Sequence, residues 1–419
     1  MTGWFARAVL AALLVFSTAA SAAAPERTVV VVLFDGFAPA ELDAAKPTPN
    51  FDRLKREGAW SRHLVPAFPT ISLINHTTYA TGCWPEHHGI VSNVFYDPQR
   101  GLFGNGGDVA DADWHTGCES MWEAAERQGV KTAVFNWIGR WSNKRGKLSS
   151  FANANVRWAE RENDDTILNK AVALLHDKSP GHPRLIALYF DIPDHVAHFN
   201  GVAGAKTQDA VRRCDAIVGR LTAAIKSMPA GREGTLVIGT DHGMMDVGPM
   251  INIGRLMNMY DIKAKQASDG ATTFFYLDKG ESADRVRNAL DAYSYAFDVY
   301  KKGHYPAFAH LGTGARAGDL LLVAKPPYWV VGPEEFPAWA NWLGITHIWP
   351  VTFTPPFGVG LKATHGYDPH IAQMHGIFYA WGAGVAPGRE VKRLDMIDIH
   401  PTVMSLLGLQ PAGRWTGRW

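Results

Sequence analysis

Cysteine is scarce in this chain: Cys83, Cys118 and Cys214 are the only three among 419 residues. An odd count permits at most one internal disulfide and leaves open which two residues would form it. None stands in a C-x-x-C pair, which argues against a thiolate metal site. Excess charge of either sign is also lacking: 41 Lys and Arg oppose 40 Asp and Glu, for a net charge of +1. No basic excess exists to hold a polyanion, so no nucleic-acid-binding surface is evident. Internal repeats and low-complexity tracts are absent. Beyond the first two dozen residues, so are apolar runs long enough to span a membrane, which takes about 20 residues.

Those first residues follow the pattern of a secretory signal. Arg7 supplies positive charge, Ala8 to Ala20 is apolar, and Ser21-Ala-Ala-Ala24 offers small residues for cleavage before Pro25. The expectation is a signal peptide at 1–23 and a mature chain at 24–419, with no membrane anchor after removal. No cysteine near the cleavage zone calls for a lipid anchor. Export to a bacterial periplasm is the simplest reading.

What the chain does have is apolar content, 47% of residues, enough to bury a large core. Thr28–Phe34 is a continuous apolar run, as expected of a parallel strand buried on both faces. Similar runs are Leu185–Phe190, Thr235–Gly239 and Gly376–Trp381. Helical patterns lie between them. In Asp209–Ile225, Val211, Cys214, Val218, Leu221 and Ile225 form one apolar stripe, and Arg212, Arg213, Asp215 and Arg220 are expected to face away. Strands alternating with helices predict an α/β fold with a mostly parallel sheet and helices on both faces. Residues at about 265–345 read as a small α+β insertion. Strands are expected at Thr272–Leu277 and Leu320–Ala324 and a helix at Ser282–Ala292, with Pro326, Pro327 and Pro333 breaking the pattern.

Ligands of open parallel sheets bind beyond the carboxyl ends of the strands. Asp35 ends the first run, and Asp241-His242 end the third. A turn residue or helix cap is the competing reading for Asp35. For Asp241 and His242, metal binding is favoured, with Gly243 letting the chain turn so that both reach one ion. Asp194 and His198 lie four residues apart, on one face of a helical turn, where a carboxylate and an imidazole can grip one metal. His195 lies off that face and is the poorer ligand candidate. His365 precedes Gly366, which allows close backbone approach. Ser72 stands at the start of a helix expected to end at Gly82. A capping serine is the bland reading. The functional one uses the same geometry, because a helix N-terminus favours an anion, and a bound metal activates a hydroxyl.

The order of these elements resembles the nucleotide pyrophosphatase/phosphodiesterase family of the alkaline phosphatase superfamily. The resemblance rests on Phe68-Pro-Thr-Ile-Ser-Leu-Ile-Asn-His76, Ala80-Thr-Gly82, Pro85 through Asp97, Pro193-Asp-His-Val-Ala-His198, Gly239-Thr-Asp-His-Gly-Met244 and His365-Gly-Tyr-Asp368. It implies an alkaline-phosphatase-like three-layer α/β/α sandwich and two Zn2+. One ion would be held by Asp194, His198 and His365, the other by Asp35, Asp241, His242 and the Ser72 oxygen. Ser72 would be the nucleophile, forming a covalent phosphoserine intermediate. Asn93 would bind a phosphoryl oxygen, with backbone amides near Ser72 assisting. The implied substrate is a small phosphodiester or nucleotide.

The chain departs from the family pattern at three places. Many members carry threonine where Ser72 stands. Nucleotide-hydrolysing members carry a stacking aromatic where Leu73 stands, and some carry lysine where Ile71 stands. Trp158 lies near the place of a second stacking aromatic. A phosphomonoesterase on the same scaffold is the first alternative, with Arg140, Lys144 and Arg145 to hold the extra charge. A sulfatase is disfavoured because Ser72-Leu-Ile-Asn-His lacks the Cys- or Ser-x-Pro-x-Arg motif. A non-catalytic binding protein on the same fold is the alternative from another class.

Overall fold

The structure is a computed structural model. It describes residues 25–104, 109, 111–115, 117–137, 149–153, 161–336, 348–354 and 360–412. The expected signal segment, Trp158, and the trio Arg140, Lys144 and Arg145 lie outside the described residues.

The central strand is Glu26–Asp35, whose residues from Val29 onward are buried on both faces. It runs parallel to Leu185–Pro193 on one side and Arg232–Thr240 on the other. Outward from Leu185–Pro193 come Thr132–Phe135 and Phe151–Ala152, both parallel. On the other flank Gly376–Gly382 runs antiparallel to Arg232–Thr240 and to Ala59–Val65. The sheet is therefore mixed but mostly parallel.

Alternate side chains of the central strand feed two cores, as a period-two strand requires. Val29, Val31 and Leu33 face a core shared with helices Ser72–Thr81, Met121–Arg127 and Ile399–Leu406. Val30, Val32 and Phe34 face one shared with helices Pro49–Glu57, Asp164–His176 and Ala205–Lys226. This is the three-layer α/β/α sandwich.

Ala205–Lys226 buries the expected stripe from Val211 to Ile225. Asp215 departs from expectation. It is buried, and its Oδ1 accepts the Asn50 and Phe51 amides at 3.0 and 2.9 Å. A helix start leaves amides without intrahelical acceptors, and Asp215 satisfies those of Pro49–Glu57 from the neighbouring helix.

A second, antiparallel sheet of four strands stands beside the first, in the order Ala264–Asp269, Thr272–Leu277, Leu320–Ala324, Phe297–Lys301. Helix Ala283–Leu290 packs on it through Val286 and Leu290. The prolines that follow do not exclude extended structure, since Trp329–Val331 between them pairs with Met250–Asn252.

Cys83 and Cys118 are joined in a disulfide, and Cys214 is buried and free. The bond spans 35 residues and ties the end of the Ser72 helix to the approach to Met121–Arg127. Constraining a loop of that length predicts a stabilisation of about 3–4 kcal/mol. The double variant Cys83→Ala/Cys118→Ala should lose that amount in urea unfolding. A midpoint shift equivalent to less than about 0.5 kcal/mol would contradict it.

Candidate metal centre and active-site cleft

Three adjacent parallel strands deliver three carboxylates to one point. Asp35 is the last residue of its strand, Asp194 follows Pro193, and Asp241 follows Thr240. A register shift between Phe34 and Asp35 sets Asp35 opposite Pro193. Gly36 then turns away with φ +57°, and a Cβ there would fall 2.4 Å from Asp194 Oδ1. Only glycine allows this approach. The Gly36 amide donates to Asp241 Oδ1 at 3.0 Å, which fixes two of the strand ends to each other.

Histidines complete the cluster. His198, on the helix Asp194–Asn200, brings Nε2 to 3.3 Å from Asp194 Oδ2. His365 Nε2 stands 3.6 Å from Asp194 Oδ1. His242 Nε2 stands 3.4 Å from Asp35 Oδ1 and 3.5 Å from Asp241 Oδ2. Two ligand sets result, with donor atoms within 4.8 Å of one another: Asp194, His242 and His365, and Asp35, Asp241 and His242. His198 adjoins the first set, its ring centroid 5.1 Å from that of His365.

The tautomers test whether this cluster suits a metal. Nδ1 of His198, His242 and His365 lies 2.9, 2.9 and 3.0 Å from the carbonyl oxygens of Ala363, Gly243 and Thr70. A carbonyl only accepts, so each Nδ1 carries a proton, and in the neutral ring each Nε2 presents a lone pair. Three lone pairs aimed at carboxylate oxygens repel them unless a cation lies between. Backbone carbonyls holding the far nitrogen are also the usual support of metal-binding histidines. Asp194 Oδ1 agrees, being buried with no hydrogen-bond partner among the described residues. The donor set fits a divalent transition metal.

The electrostatics of the protein groups alone show the same tension. Burial pushes the Asp35 carboxyl well up, and the neighbouring Asp241 and Asp194 push it further. Burial also acts on Asp241 and Asp194, but His242 and His76 hold the first below its ordinary value, and His198 and His365 hold the second below. His198 rises to about 9 because Asp194 outweighs its burial. His365 is pushed well down by burial and by His242.

Ser72 is the first residue of its helix, and Ile71 occupies the cap position, so the capping reading of Ser72 fails. Its Oγ instead lies 3.3 Å from His242 Nε2 and 3.5 Å from Asp35 Oδ1. Asn93 lies beside it, Oδ1 accepting the Leu73 amide at 2.7 Å. That amide is therefore occupied, which removes one of the backbone donors expected near Ser72. Leu73 lines the cleft. His195 lines it too, but its Nδ1 sits 3.1 Å from the Asp191 carbonyl and outside both ligand sets. The cleft holds about 570 Å³ and is bounded by Ser72, Asn93, Arg161, His198, Asp269 and Trp329 among others.

Three further residues belong to the site. His76 Nε2 lies 3.2 Å from Asp241 Oδ2, and its ring packs against Tyr189 at 4.6 Å. Tyr189 itself donates its hydroxyl to Asp35 Oδ2. His76 is four residues beyond Ser72 on one helix, a spacing that puts both on one face and was readable in the sequence. Asp269 has no such signal. It reaches the cleft from the second sheet, and burial pushes its carboxyl up to about 6 against the pull of His198 and His242.

Comparison with known proteins places the chain in a family. The model of the family "Type I phosphodiesterase / nucleotide pyrophosphatase" matches residues 29–368. That match defines the class as the phosphodiesterase/pyrophosphatase hydrolases. The chain belongs to the type I phosphodiesterase/nucleotide pyrophosphatase family. It is 27% identical over 409 residues to ectonucleotide pyrophosphatase/phosphodiesterase family member 7 of Rattus norvegicus, covering 92% of this chain and 84% of that protein. It is 25% identical over 376 residues to venom phosphodiesterase 2 of Crotalus adamanteus, covering 87% of this chain and 43% of that one. Among solved structures, the fold matches an inactive variant of murine ectonucleotide pyrophosphatase/phosphodiesterase 5 in complex with AMP. The TM-score is 0.79 at 22% identity, over 94% of this chain and 98% of that one. That likeness bears out the alkaline-phosphatase-like fold expected from the sequence.

Proposed function

We propose that this protein is a zinc-dependent phosphodiesterase that cleaves small phosphodiesters or nucleotide phosphoanhydrides through a phosphoserine intermediate. The observation that carries the reading is the position of Ser72 Oγ, at a helix start and in contact distance of both His242 and Asp35. Asp194, His198 and His365 would hold one Zn2+; Asp35, Asp241, His242 and Ser72 the other. Carboxylate and imidazole donors suit that ion. When bound, the metal pair supplies Lewis acidity toward the nucleophile and the leaving oxygen.

The chain's own residues do the rest. Ser72 Oγ gives its proton to solvent and bonds to phosphorus as the bond to the leaving oxygen breaks, that oxygen taking a proton from water and the other ester group staying on phosphorus. Water then displaces Ser72 from phosphorus and restores the hydroxyl. Asn93 holds its amide at the edge of the cleft, where its Nδ2 can donate to a phosphoryl oxygen. His76 and Tyr189 position Asp241 and Asp35 from behind. Leu73, and Trp158 outside the described residues, would touch the group carried by the phosphate.

Relatives support a nucleotide or similar small ester as substrate; the murine structure was solved with AMP. We read 24–419 as one catalytic unit carrying an insertion at about 265–345, exported to a periplasm after signal removal. No helix among the described residues is long and apolar enough to cross a membrane.

The competing monoesterase needs positive charge for a dianionic phosphoryl group. Among the described residues lining the cleft, Arg161 is the only Arg or Lys, and its guanidinium pairs with Asp191 at 2.5 Å. Diester preference is therefore expected. It is tested by comparing kcat/KM for bis-p-nitrophenyl phosphate, thymidine 5′-p-nitrophenyl phosphate and p-nitrophenyl phosphate. Preference for the last would overturn the reading. A protein that hydrolyses none of the three would be a binding protein on this fold.

A further inference from the structure

The second sheet contributes one charged side chain to the cleft. Strands Ala264–Asp269 and Thr272–Leu277 form a hairpin joined by Gly270 and Ala271. Gly270 has φ +57°, and a Cβ there would fall 2.5 Å from the His365 carbonyl oxygen. The hairpin tip is thus pressed against the segment that carries His365, and Asp269, last residue of the first strand, lines the cleft with Ser72, Asn93 and His198.

Asp269 shares the cleft wall with Asn93, whose Oδ1 accepts the Leu73 amide at 2.7 Å, so the Asp269 carboxylate lines the same space as the residue after Ser72. Asp269 Oδ2 is buried with no hydrogen-bond partner among the described residues. Arg161, the cation of the described cleft lining, is occupied by Asp191.

We propose that Asp269 is a specificity-determining residue: its negative charge beside the Asn93–Ser72 edge selects monoanionic phosphodiesters against dianionic phosphomonoesters. The inference rests on the phosphodiesterase reading and deepens it. The repulsion between a fixed charge and a ligand scales with the ligand's charge, so a dianion meets about twice the penalty of a monoanion. Any effect of Asp269 on the shape of the cleft, by contrast, is felt equally by every ester.

Charge selection is separable from positioning by experiment. Asp269→Asn keeps the side chain's shape and an accepting oxygen but removes the charge. It should be assayed at pH 8, well above the ordinary carboxylate range, on three p-nitrophenyl esters. These are the monoester p-nitrophenyl phosphate, p-nitrophenyl methylphosphonate (a monoanion of almost the same size) and bis-p-nitrophenyl phosphate. The expected result is a rise of about tenfold in kcat/KM for the dianion relative to both monoanions. Asp269→Ser should shift the ratio in the same direction. Ratios measured on one preparation are insensitive to partial unfolding. Parallel changes on all three esters, or ratios unchanged in both variants, would overturn charge selection while leaving the phosphodiesterase reading intact. A wild-type protein inert toward all three would sink both.

Discussion

Ser72→Ala is expected to lower phosphodiester turnover by about 10³-fold or more, while Asp35, Asp241 and His242 keep most of the metal bound and the melting temperature stays nearly unchanged. The size follows from the role. Removing an attacking group leaves only binding and electrostatic stabilisation, and such losses run from about 10³ to 10⁶. Loss of a single donor to the developing charge costs less, about 10²–10³. The Ser72 hydroxyl is buried but makes only long contacts, at 3.3 and 3.5 Å, so its removal leaves no strong bond broken. Ser72 is not the capping residue of the helix, which is buried along its whole length, so the helix does not depend on the hydroxyl. Steady-state rates, zinc content by elemental analysis and a melting curve on the same sample make the test. A drop below about tenfold would remove Ser72 from the nucleophile's role. Acid quench of the wild-type enzyme during turnover of a diester should place on Ser72 a phosphoryl group still carrying the retained ester group, seen as that added mass in peptide mass spectra.

The elements that carry the site were legible where local chemistry sets them. Asp35 and Asp241 stood out because a charged residue closes an apolar run, and such runs become the central strands of a parallel sheet. Asp194 and His198 stood out by helical spacing. Long-range packing was harder to read. The apolar stripe of Ala205–Lys226 followed from period alone, but Asp215 was assigned to the wrong environment. Its partners, the Asn50 and Phe51 amides, lie 165 and 164 residues away. Asp269 was invisible for a similar reason, since its place depends on how a hairpin of the second sheet docks against His365. Gly376–Trp381 read as a strand, but its direction depends on the chain path before it, which apolar content does not encode. His365 shows the intermediate case. Gly366 made it a candidate by allowing close backbone approach, but only the family resemblance made it a metal ligand before the structure set it 3.6 Å from Asp194.

Metal removal should act on stability as well as on rate, and this follows from the buried cluster rather than from the reaction. Asp35 and Asp241 are almost fully buried, Asp194 adjoins them, and the burial of Asp35 among the other two drives its carboxyl well up. The histidines can relieve this only by taking a second proton on Nε2, because the Nδ1 proton of each is committed to the carbonyl of Ala363, Gly243 or Thr70. Without a cation, the protein must protonate a carboxylate, protonate an imidazole, or let the strand ends separate. Each costs free energy that the unfolded chain does not bear. Binding at 1,000 times the dissociation constant stabilises a folded protein by about 4 kcal/mol per site. Dialysis against a strong chelator should therefore abolish at least about 99% of the activity and lower the melting temperature by at least about 3 °C. Zn2+ should restore both. Asp241→Asn should reproduce the loss of activity and blunt the response to added Zn2+, because it removes a charge from one ligand set while the Gly36 and His242 amides still have an acceptor. A chelated protein that keeps its melting temperature and its rate would mean that the cluster holds no stabilising ion. The repulsion among Asp35, Asp194 and Asp241 would then have to be relieved by protons alone.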